Sequence, residues 1–275
     1  MAQNKTHTYQ ITLAGFFISL MGAIFFSTKA IFVKLAFRET HVDAITLLSL
    51  RMLFSLPFYL FAVWLSSKKE NQRSLSTKDW WLILAMGILG YYLSSLFDFI
   101  GLQYVSAGLE RLILFLYPTF AVLINTFYFK TKLSRIQLVA LLLTYLGIGI
   151  AYFGELQLDT SNPKFFFGSF MIFLCAITYS FYLVGTGRMV QRVGVTRYTA
   201  YAMLAATAGI FINFLLTHTV QTIPFSNTLT GYTIALAIIA TVLPSFLMSN
   251  GMKRIGSNNV SIITSIGPVS TIIQA

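Results

Sequence analysis

The feature of this sequence that most constrains its fold is a succession of long apolar runs, separated by short polar segments. A helix needs about 20 mostly apolar residues to cross the hydrocarbon core of a bilayer. Each run is long enough for one crossing. The runs therefore predict membrane-spanning helices at residues 11–35, 44–65, 80–101, 108–129, 136–153, 165–186, 198–217, 231–252 and from 258 to the end of the chain.

The composition agrees with a membrane protein, because 56% of the 275 residues are hydrophobic and only 10% are charged. The single cysteine, Cys175, lies inside an apolar run, so no intrachain disulfide can form and we predict a packing role. In a soluble protein the net charge of +11 would suggest nucleic acid as a partner. Here the basic residues lie mostly in short loops, where they report topology instead, and no nucleic-acid partner is expected.

The distribution of Lys and Arg predicts the orientation of the chain. An excess of these residues in short loops marks the cytoplasmic side of a membrane. With a cytoplasmic N-terminus, the opposite side holds only four of them, Lys34, Arg38, Arg111 and Lys164. The cytoplasmic segments then hold 13: Lys5, Lys68, Lys69, Arg73, Lys78, Lys130, Lys132, Arg135, Arg188, Arg192, Arg197, Lys253 and Arg254. We therefore predict a cytoplasmic N-terminus.

An internal repeat divides the predicted helices into two units. The segment that begins at Gly101 and the span with Pro118 are matched 150 positions later by Gly251 and Pro268, and the glycine and proline are 17 positions apart in both. The first unit has five helices, and an odd number makes successive units enter the membrane from opposite sides. The sequence thus predicts an all-α polytopic membrane protein of two inverted five-helix repeats, residues 1–153 and 154–275.

The second unit is expected to be truncated in its fourth helix. Only seven residues follow Pro268, whereas the first unit continues from Pro118 to Phe153. Nine spans are therefore predicted, with the ninth incomplete and a tenth helix missing.

These motifs resemble those of EamA-type transporters in the drug/metabolite transporter superfamily. The residues that carry the resemblance are Ala30-Ile-Phe-Val-Lys34, Leu50-Arg51 with Pro57, Ser106-Ala107-Gly108, Leu116-Tyr-Pro118 and Gly267-Pro268. The resemblance implies ten helices with both termini cytoplasmic, in a plasma membrane or bacterial inner membrane. It also implies export or exchange of small polar or amphipathic metabolites such as amino acids. Where this family often has a glutamate at the end of the fourth helix, the chain has Phe129-Lys130.

Five ionisable residues lie within or at the edge of predicted spans. A charge costs about 2.5 to 3.5 kcal/mol at the centre of a membrane helix, so such residues are functional candidates. Three are positive and two negative, which leaves one positive charge for a carboxylate or phosphate of a ligand. They are Lys29, Arg51, Asp98, Glu110 and Arg111, all predicted in the extracytoplasmic leaflet.

We expect this group to form an outer gate and part of a binding cavity, with Asp98 as a candidate proton carrier. The alternatives are that Lys29 and Arg111 extend to the membrane surface and that Glu110 is a hydrated helix start. The repeat pairs the group with uncharged residues, so the two gates should differ: Tyr182 for Lys29, Met248 for Asp98, Val260 for Glu110 and Ser261 for Arg111.

Several polar residues are candidates for lining a central cavity between the repeats. They are Tyr117, Tyr179, Tyr182 and Asn250, with Tyr91 as a further tyrosine. The alternative for each is a packing role, because tyrosines are common at helix interfaces and membrane boundaries.

No catalytic or metal-binding motif is present in the sequence, so no enzyme activity and no cofactor are expected. HExxH, Gly-x-Ser-x-Gly and a phosphate-binding glycine loop are all absent. The histidines, His7, His41 and His218, do not have metal-ligand spacing. The sequence favours a secondary transporter that works by alternating access, driven by a coupled proton or a counter-substrate or moving solutes downhill. A polytopic membrane enzyme, a channel or a structural membrane component remain the alternatives.

Overall fold

The computed structural model describes residues 12–68, 74–130, 163–219, 221 and 223–274, together with residues 135, 137–139, 141–143, 145–146 and 150. In these residues all regular secondary structure is helical. The prediction of an all-helical chain with many apolar helices is therefore confirmed. The fifth predicted span, 136–153, falls largely outside the described residues.

In the first half of the chain, residues 12–130 fold into six α-helices and one π-helical segment. Two long helices come first, and the next two are joined by a π-helical segment, in which one extra residue per turn widens the helix. The elements are α1 (Leu13–Thr40), α2 (Ala44–Ser67), α3 (Thr77–Ala85), the first π segment (Met86–Tyr92), α4 (Leu93–Leu102), α5 (Ala107–Leu114) and α6 (Tyr117–Phe127).

The second half repeats this pattern of elements. It contains two long helices, a second π segment and a helix that is interrupted close to the end of the chain. The elements are α7 (Phe165–Val193), α8 (Val195–Thr217), α9 (Asn227–Ala237), the second π segment (Ile238–Val242), α10 (Leu243–Ile263), a 3₁₀ turn (Thr264–Ile266) and α11 (Gly267–Gln274).

Seven stretches of the described residues are long and apolar enough to cross a membrane. The last of them is 45 residues long. Gly256 interrupts it with φ 80° and ψ 160°, a left-handed conformation that favours glycine. This stretch covers the predicted eighth and ninth spans. The seven are Leu13–Thr40, Ala44–Ser67, Thr77–Leu102, Ala107–Phe127, Phe165–Val193, Val195–Thr217 and Asn227–Thr271.

Helix starts follow local sequence signals. The Asp43 carboxylate accepts hydrogen bonds from the backbone N–H groups of Ile45 and Thr46 at the start of α2. Ser76 and Asp79 form a reciprocal capping box at the start of α3. These caps satisfy backbone donors that have no partner inside the helix. The helices therefore begin close to the polar segments that the sequence places between apolar runs.

Exposure in this bundle is the reverse of that in a soluble protein. Phe166 and Leu216 are 82% and 80% exposed, whereas Asp98 and Glu110 are fully buried. Large apolar side chains on the outside suit a hydrocarbon solvent, and charged side chains in a membrane helix face the interior of the bundle. The chain is therefore built to lie in a bilayer.

The two halves share close helix contacts at equivalent positions. In the first, α4 approaches α7 where a Cβ on Gly101 would overlap the side chain of Ile172. In the second, α10 approaches α1 where a Cβ on Gly251 would overlap Ser19. The two π segments and the helix breaks before Tyr117 and Gly267 also occupy equivalent positions. The same packing geometry thus occurs twice in the described residues.

Candidate functional site

Four of the five predicted charges form one buried network, which we call the charge cluster: Lys29, Asp98, Glu110 and Arg111. Lys29 Nζ lies 2.8 Å from Asp98 Oδ2 and 3.7 Å from Glu110 Oε1. Arg111 Nε lies 3.1 Å from Glu110 Oε2. Two positive and two negative charges make the cluster neutral overall. It joins α1, α4 and α5 in the interior of the bundle.

Local structure positions the two charges of α5. Ser106 caps this helix by accepting a hydrogen bond from the backbone N–H of Leu109, which places Glu110 in the first turn, where the helix dipole favours a negative charge. Arg111 donates from Nη2 to the backbone oxygen of Phe26, at 3.0 Å. The phenyl ring of Phe26 also lies 4.7 Å from Lys29 Nζ and 5.3 Å from the Arg111 guanidinium.

The burial of these residues contradicts the alternative explanations of their charge. Lys29 and Arg111 are each 4% exposed, so neither extends to the membrane surface. Glu110 is fully buried and is not a hydrated helix start. Each has a partner of opposite charge, which offsets the cost of removing it from water.

Arg51 of α2 is the surplus positive charge. It is 1% exposed, and among the described residues no ion pair includes it. Its Nη2 donates to Ser95 Oγ at 3.1 Å, and its guanidinium carbon lies 4.7 Å from the ring centroid of Phe99 and 5.8 Å from that of Tyr91. Its Nε has no hydrogen-bond partner in the described part of the chain.

A small cavity lies between Arg51 and the charge cluster. Its polar lining comes from Lys29, Arg51, Ser94 and Ser95. Aromatic, aliphatic and thiol groups complete it: Phe26, Tyr91, Leu114, Cys175 and Tyr179. The space accommodates about one water molecule, so this conformation is closed around the cavity. A solute can enter only after the helices around the cavity move apart.

The predicted tyrosines lie together on one side of this cavity. Tyr179 packs edge-on against Tyr117 at 5.1 Å between ring centroids and stacks against Tyr182 at 5.8 Å. Tyr182 in turn contacts Tyr91 at 5.7 Å. Of these four, Tyr91 and Tyr179 line the cavity directly. The structure does not bring Asn250 to this place, since it is half-buried on α10 and is not part of the lining.

Several residues at the site were not predicted as site residues, among them Phe26, Ser94 and Leu114 of the lining. Ser95 and Phe99 hold Arg51, and both lie on the face of α4 that carries Asp98. Cys175, predicted only to pack, lines the cavity with its Sγ 3.9 Å from Asp98 Oδ1. Helical spacing was the available signal for Ser95, because a residue three positions before a buried charge shares its side of the helix.

The end of the bundle at which α1 begins, here called the basic end, is closed by a different set of contacts. Arg192 Nε of α7 lies 2.9 Å from Asp79 Oδ1 of α3. Asn125 donates to Asn258 Oδ1 at 2.6 Å, between α6 and α10. At the opposite end, Tyr232 lies near Glu39, and these two positions are the repeat equivalents of Asp79 and Arg192.

Within the described residues, no group of three or more His, Cys, Asp and Glu side chains could hold a metal ion. Of the three histidines, His218 places Nε2 3.3 Å from Asp43 Oδ1, at the end of the bundle opposite the basic end. His7 lies outside the described residues.

The fold and the site together define a polytopic helical membrane protein with a closed polar cavity. The EamA-like transporter family matches residues 13–153 and 166–275. The chain belongs to this family and is a membrane transporter, which confirms the resemblance to the drug/metabolite transporter superfamily. Membership implies a small-molecule substrate and a surrounding lipid bilayer.

Similar proteins are consistent with this assignment. The chain is 32% identical over 271 residues to the uncharacterized transporter YcbK of Bacillus subtilis (strain 168), a match that covers 94% of this chain and 83% of that protein. It is 23% identical over 219 residues to the uncharacterized transporter YdfC of the same organism, covering 80% of this chain and 68% of that one. A crystal structure shares the fold with a TM-score of 0.71 at 20% identity, covering 94% of this chain and 86% of that chain.

Proposed function

We propose that this protein is a secondary transporter that exports or exchanges small polar or amphipathic metabolites, such as amino acids, by alternating access. The observation that carries the proposal is the closed cavity, which is lined by helices of both halves and contains a buried arginine outside every ion pair of the described residues. A buried cation of this kind is costly unless a ligand neutralises it. Because Arg51 lies at the cavity, a bound anionic ligand would offset the free-energy cost of burying its charge.

We further propose that the chain consists of two inverted repeats, residues 1–153 and 154–275, with nine spans. Two observations support this arrangement. The π segments and helix breaks lie at equivalent positions, and the pairs Gly101–Ile172 and Gly251–Ser19 make equivalent contacts. Equivalent contacts between opposite halves are what a pseudo-two-fold axis in the membrane plane would produce.

In our proposal the basic end is cytoplasmic, in a plasma membrane or bacterial inner membrane. Basic residues in short loops favour this orientation. Among the described residues at or near that end are Lys68, Lys78, Arg197, Lys253 and Arg254. The N-terminus is then cytoplasmic, and the charge cluster lies in the extracytoplasmic half.

The two ends act as gates of different chemistry in this mechanism. The outer gate is the charge cluster, in which Lys29 can exchange between Asp98 and Glu110 as α1 moves relative to α4 and α5. The cytoplasmic gate is the Asp79–Arg192 pair with its neighbouring amide contacts. A coupled proton on Asp98 or a counter-substrate supplies the energy for uphill movement.

Solute flux in proteoliposomes that contain the full-length protein tests the proposal. A panel of amino acids and other small metabolites is loaded inside, and efflux is compared between wild type, Arg51→Ala and Asp98→Asn, with Lys68→Gln as a variant of an exposed charge outside the cavity and both gates. We expect solute-specific flux in the wild type and in Lys68→Gln, and its loss in the two cavity variants. Absence of flux for every solute would contradict the transporter, and intact flux in both cavity variants would remove the charges from its mechanism.

The single cysteine gives an independent test of alternating access. Cys175 lines the closed cavity, so a membrane-impermeant thiol reagent should reach it only when a gate opens. We expect slow labelling from both sides, with rates that change when a transported solute is added. Labelling at a fixed rate from one side only, with and without solute, would contradict alternation.

A further inference from the structure

We infer that the cavity selects small organic monoanions over the matching zwitterions, and that Arg51 binds the carboxylate. The inference rests on the proposed transport function and narrows its substrate class. It follows from the charges that face the cavity and from the groups already occupied by other contacts.

The formal charges around the cavity do not balance within the described residues. The charge cluster contains as many positive as negative groups and pairs them within itself, at 2.8 Å for Lys29–Asp98 and 3.1 Å for Arg111–Glu110. Arg51 adds one positive charge that no described carboxylate neutralises. A bound ligand with a net charge of −1 therefore brings the total charge of Arg51, the charge cluster and the ligand to zero, whereas a bound zwitterion leaves the total positive.

The geometry of Arg51 suits a carboxylate. Ser95 and the faces of Phe99 and Tyr91 hold the guanidinium in place, and its Nε has no partner among the described residues. A guanidinium can donate two parallel hydrogen bonds to a carboxylate, which adds geometric selectivity to the charge attraction. A lysine at this position would supply the charge without the paired donors.

An ammonium group would find no favourable position in the same cavity. The two charged residues in the lining, Lys29 and Arg51, are both positive. The carboxylates Asp98 and Glu110 are not in the lining and are paired with cluster cations. The ring of Phe26 already faces Lys29 and Arg111. A second cation would therefore be repelled by Arg51, with no carboxylate of the lining to offset that repulsion.

The remaining lining describes the rest of the ligand. Phe26, Leu114 and Tyr179 present apolar surface opposite the polar groups. A compact aliphatic or aromatic group would gain free energy when its apolar area is buried against such a surface. The class is thus a small monocarboxylate with an apolar or aromatic part, bound when the cavity opens.

Calorimetric binding to the purified full-length protein tests the inference with matched ligands. We compare 3-phenyllactate with phenylalanine and with phenethylamine, and lactate with alanine as a smaller pair. We expect each anion to bind about tenfold or more tightly than its zwitterion, and no binding of the amine. Arg51→Gln should abolish the preference, Arg51→Lys should retain part of it, and a change at the exposed Lys68, Lys68→Gln, should keep it whole.

The outcomes separate this inference from the transport function. Equal or tighter binding of the zwitterions by the wild type would overturn the inference, and this result does not depend on any variant folding. A preference for anions that survives in Arg51→Gln would show that Arg51 does not bind the carboxylate. Absence of anion binding to the wild type would also overturn the inference. Flux of zwitterionic solutes in proteoliposomes would leave the transporter standing in each of these cases, whereas no flux of any solute would remove the transporter itself.

Discussion

The two halves of the chain share a backbone plan but differ in charge. A π segment lies between α3 and α4 in the first half and between α9 and α10 in the second. A helix break follows in each half, before Tyr117 and before Gly267. Only the first half carries buried charges at the positions that the repeat makes equivalent. Where it has Lys29 and Asp98, the second half has Tyr182 and Met248, both buried.

This difference separates what packing requires from what chemistry requires. Close helix approach depends on small residues, so both copies retain a glycine where α4 meets α7 and where α10 meets α1. A charge is not needed for packing and costs free energy when buried. In our proposal the first half therefore provides the selective chemistry, and the second provides much of the wall around it.

The largest effect is expected when one charge of the first half loses its partner. Asp98→Asn leaves Lys29 buried with a more distant acceptor, and breaking a buried pair in this way costs about 3–5 kcal/mol of unfolding free energy. The matched change in the second half, Met248→Leu, should cost less than about 1.5 kcal/mol. Thermal unfolding of the purified protein in detergent measures both.

A double replacement sharpens this test. Lys29→Met combined with Asp98→Leu removes both charges, so neither is left unpaired, and it should unfold at a higher temperature than Asp98→Asn. A double variant that is no more stable than Asp98→Asn would show that an unpaired Lys29 is not the cause of the loss, and would contradict this prediction.

An intermediate effect should be shared by both halves. Gly101→Ala and Gly251→Ala each place a Cβ against a side chain of the facing helix, Ile172 or Ser19. Overpacking of this kind typically costs about 1–3 kcal/mol, and we expect similar losses of stability at the two sites. Gly231→Ala, which meets nothing within 4 Å, is the control and should be neutral or stabilising. A large difference between Gly101→Ala and Gly251→Ala would break the equivalence of the halves.

The smallest effect on stability is expected at the basic end. The Arg192 side chain is 40% exposed, and the Asp79 side chain, which is 3% exposed, keeps its hydrogen bonds from Ser76, so Arg192→Gln should lower the unfolding free energy by only about 1 kcal/mol. It should instead speed thiol labelling of Cys175 from that end, because the Asp79–Arg192 contact closes it. Tyr232→Phe, at the equivalent contact of the other end, should speed labelling from the opposite side. Unchanged labelling in both variants would show that these contacts do not hold the gates.

Sequence reasoning found the long apolar helices of the described residues and the five buried charges of the site, four of which meet in the charge cluster. Apolar runs and intramembrane charges are strong local signals. The sequence placed the end of α7 too early, because α7 continues to Val193. Arg188 and Arg192 are part of this helix, although they lie beyond the apolar stretch. The π segments were not predicted, because their widening depends on the facing helices and not on composition. The Asp79–Arg192 contact was missed for the same reason, as its partners are 113 positions apart. The role of the cluster as a gate stays a prediction.

Two glycine links restrict how the bundle can move. Gly194 alone separates α7 from α8, with φ 93° and ψ 151°, and Gly256 bends α10 with no intervening loop. One residue spans less than about 4 Å, so helix ends joined in this way must travel together. The helix segments on either side of each glycine can change their angle, but they cannot separate at that residue. An opening that separates α3 from α7 at Asp79 and Arg192 therefore leaves α7 joined to α8.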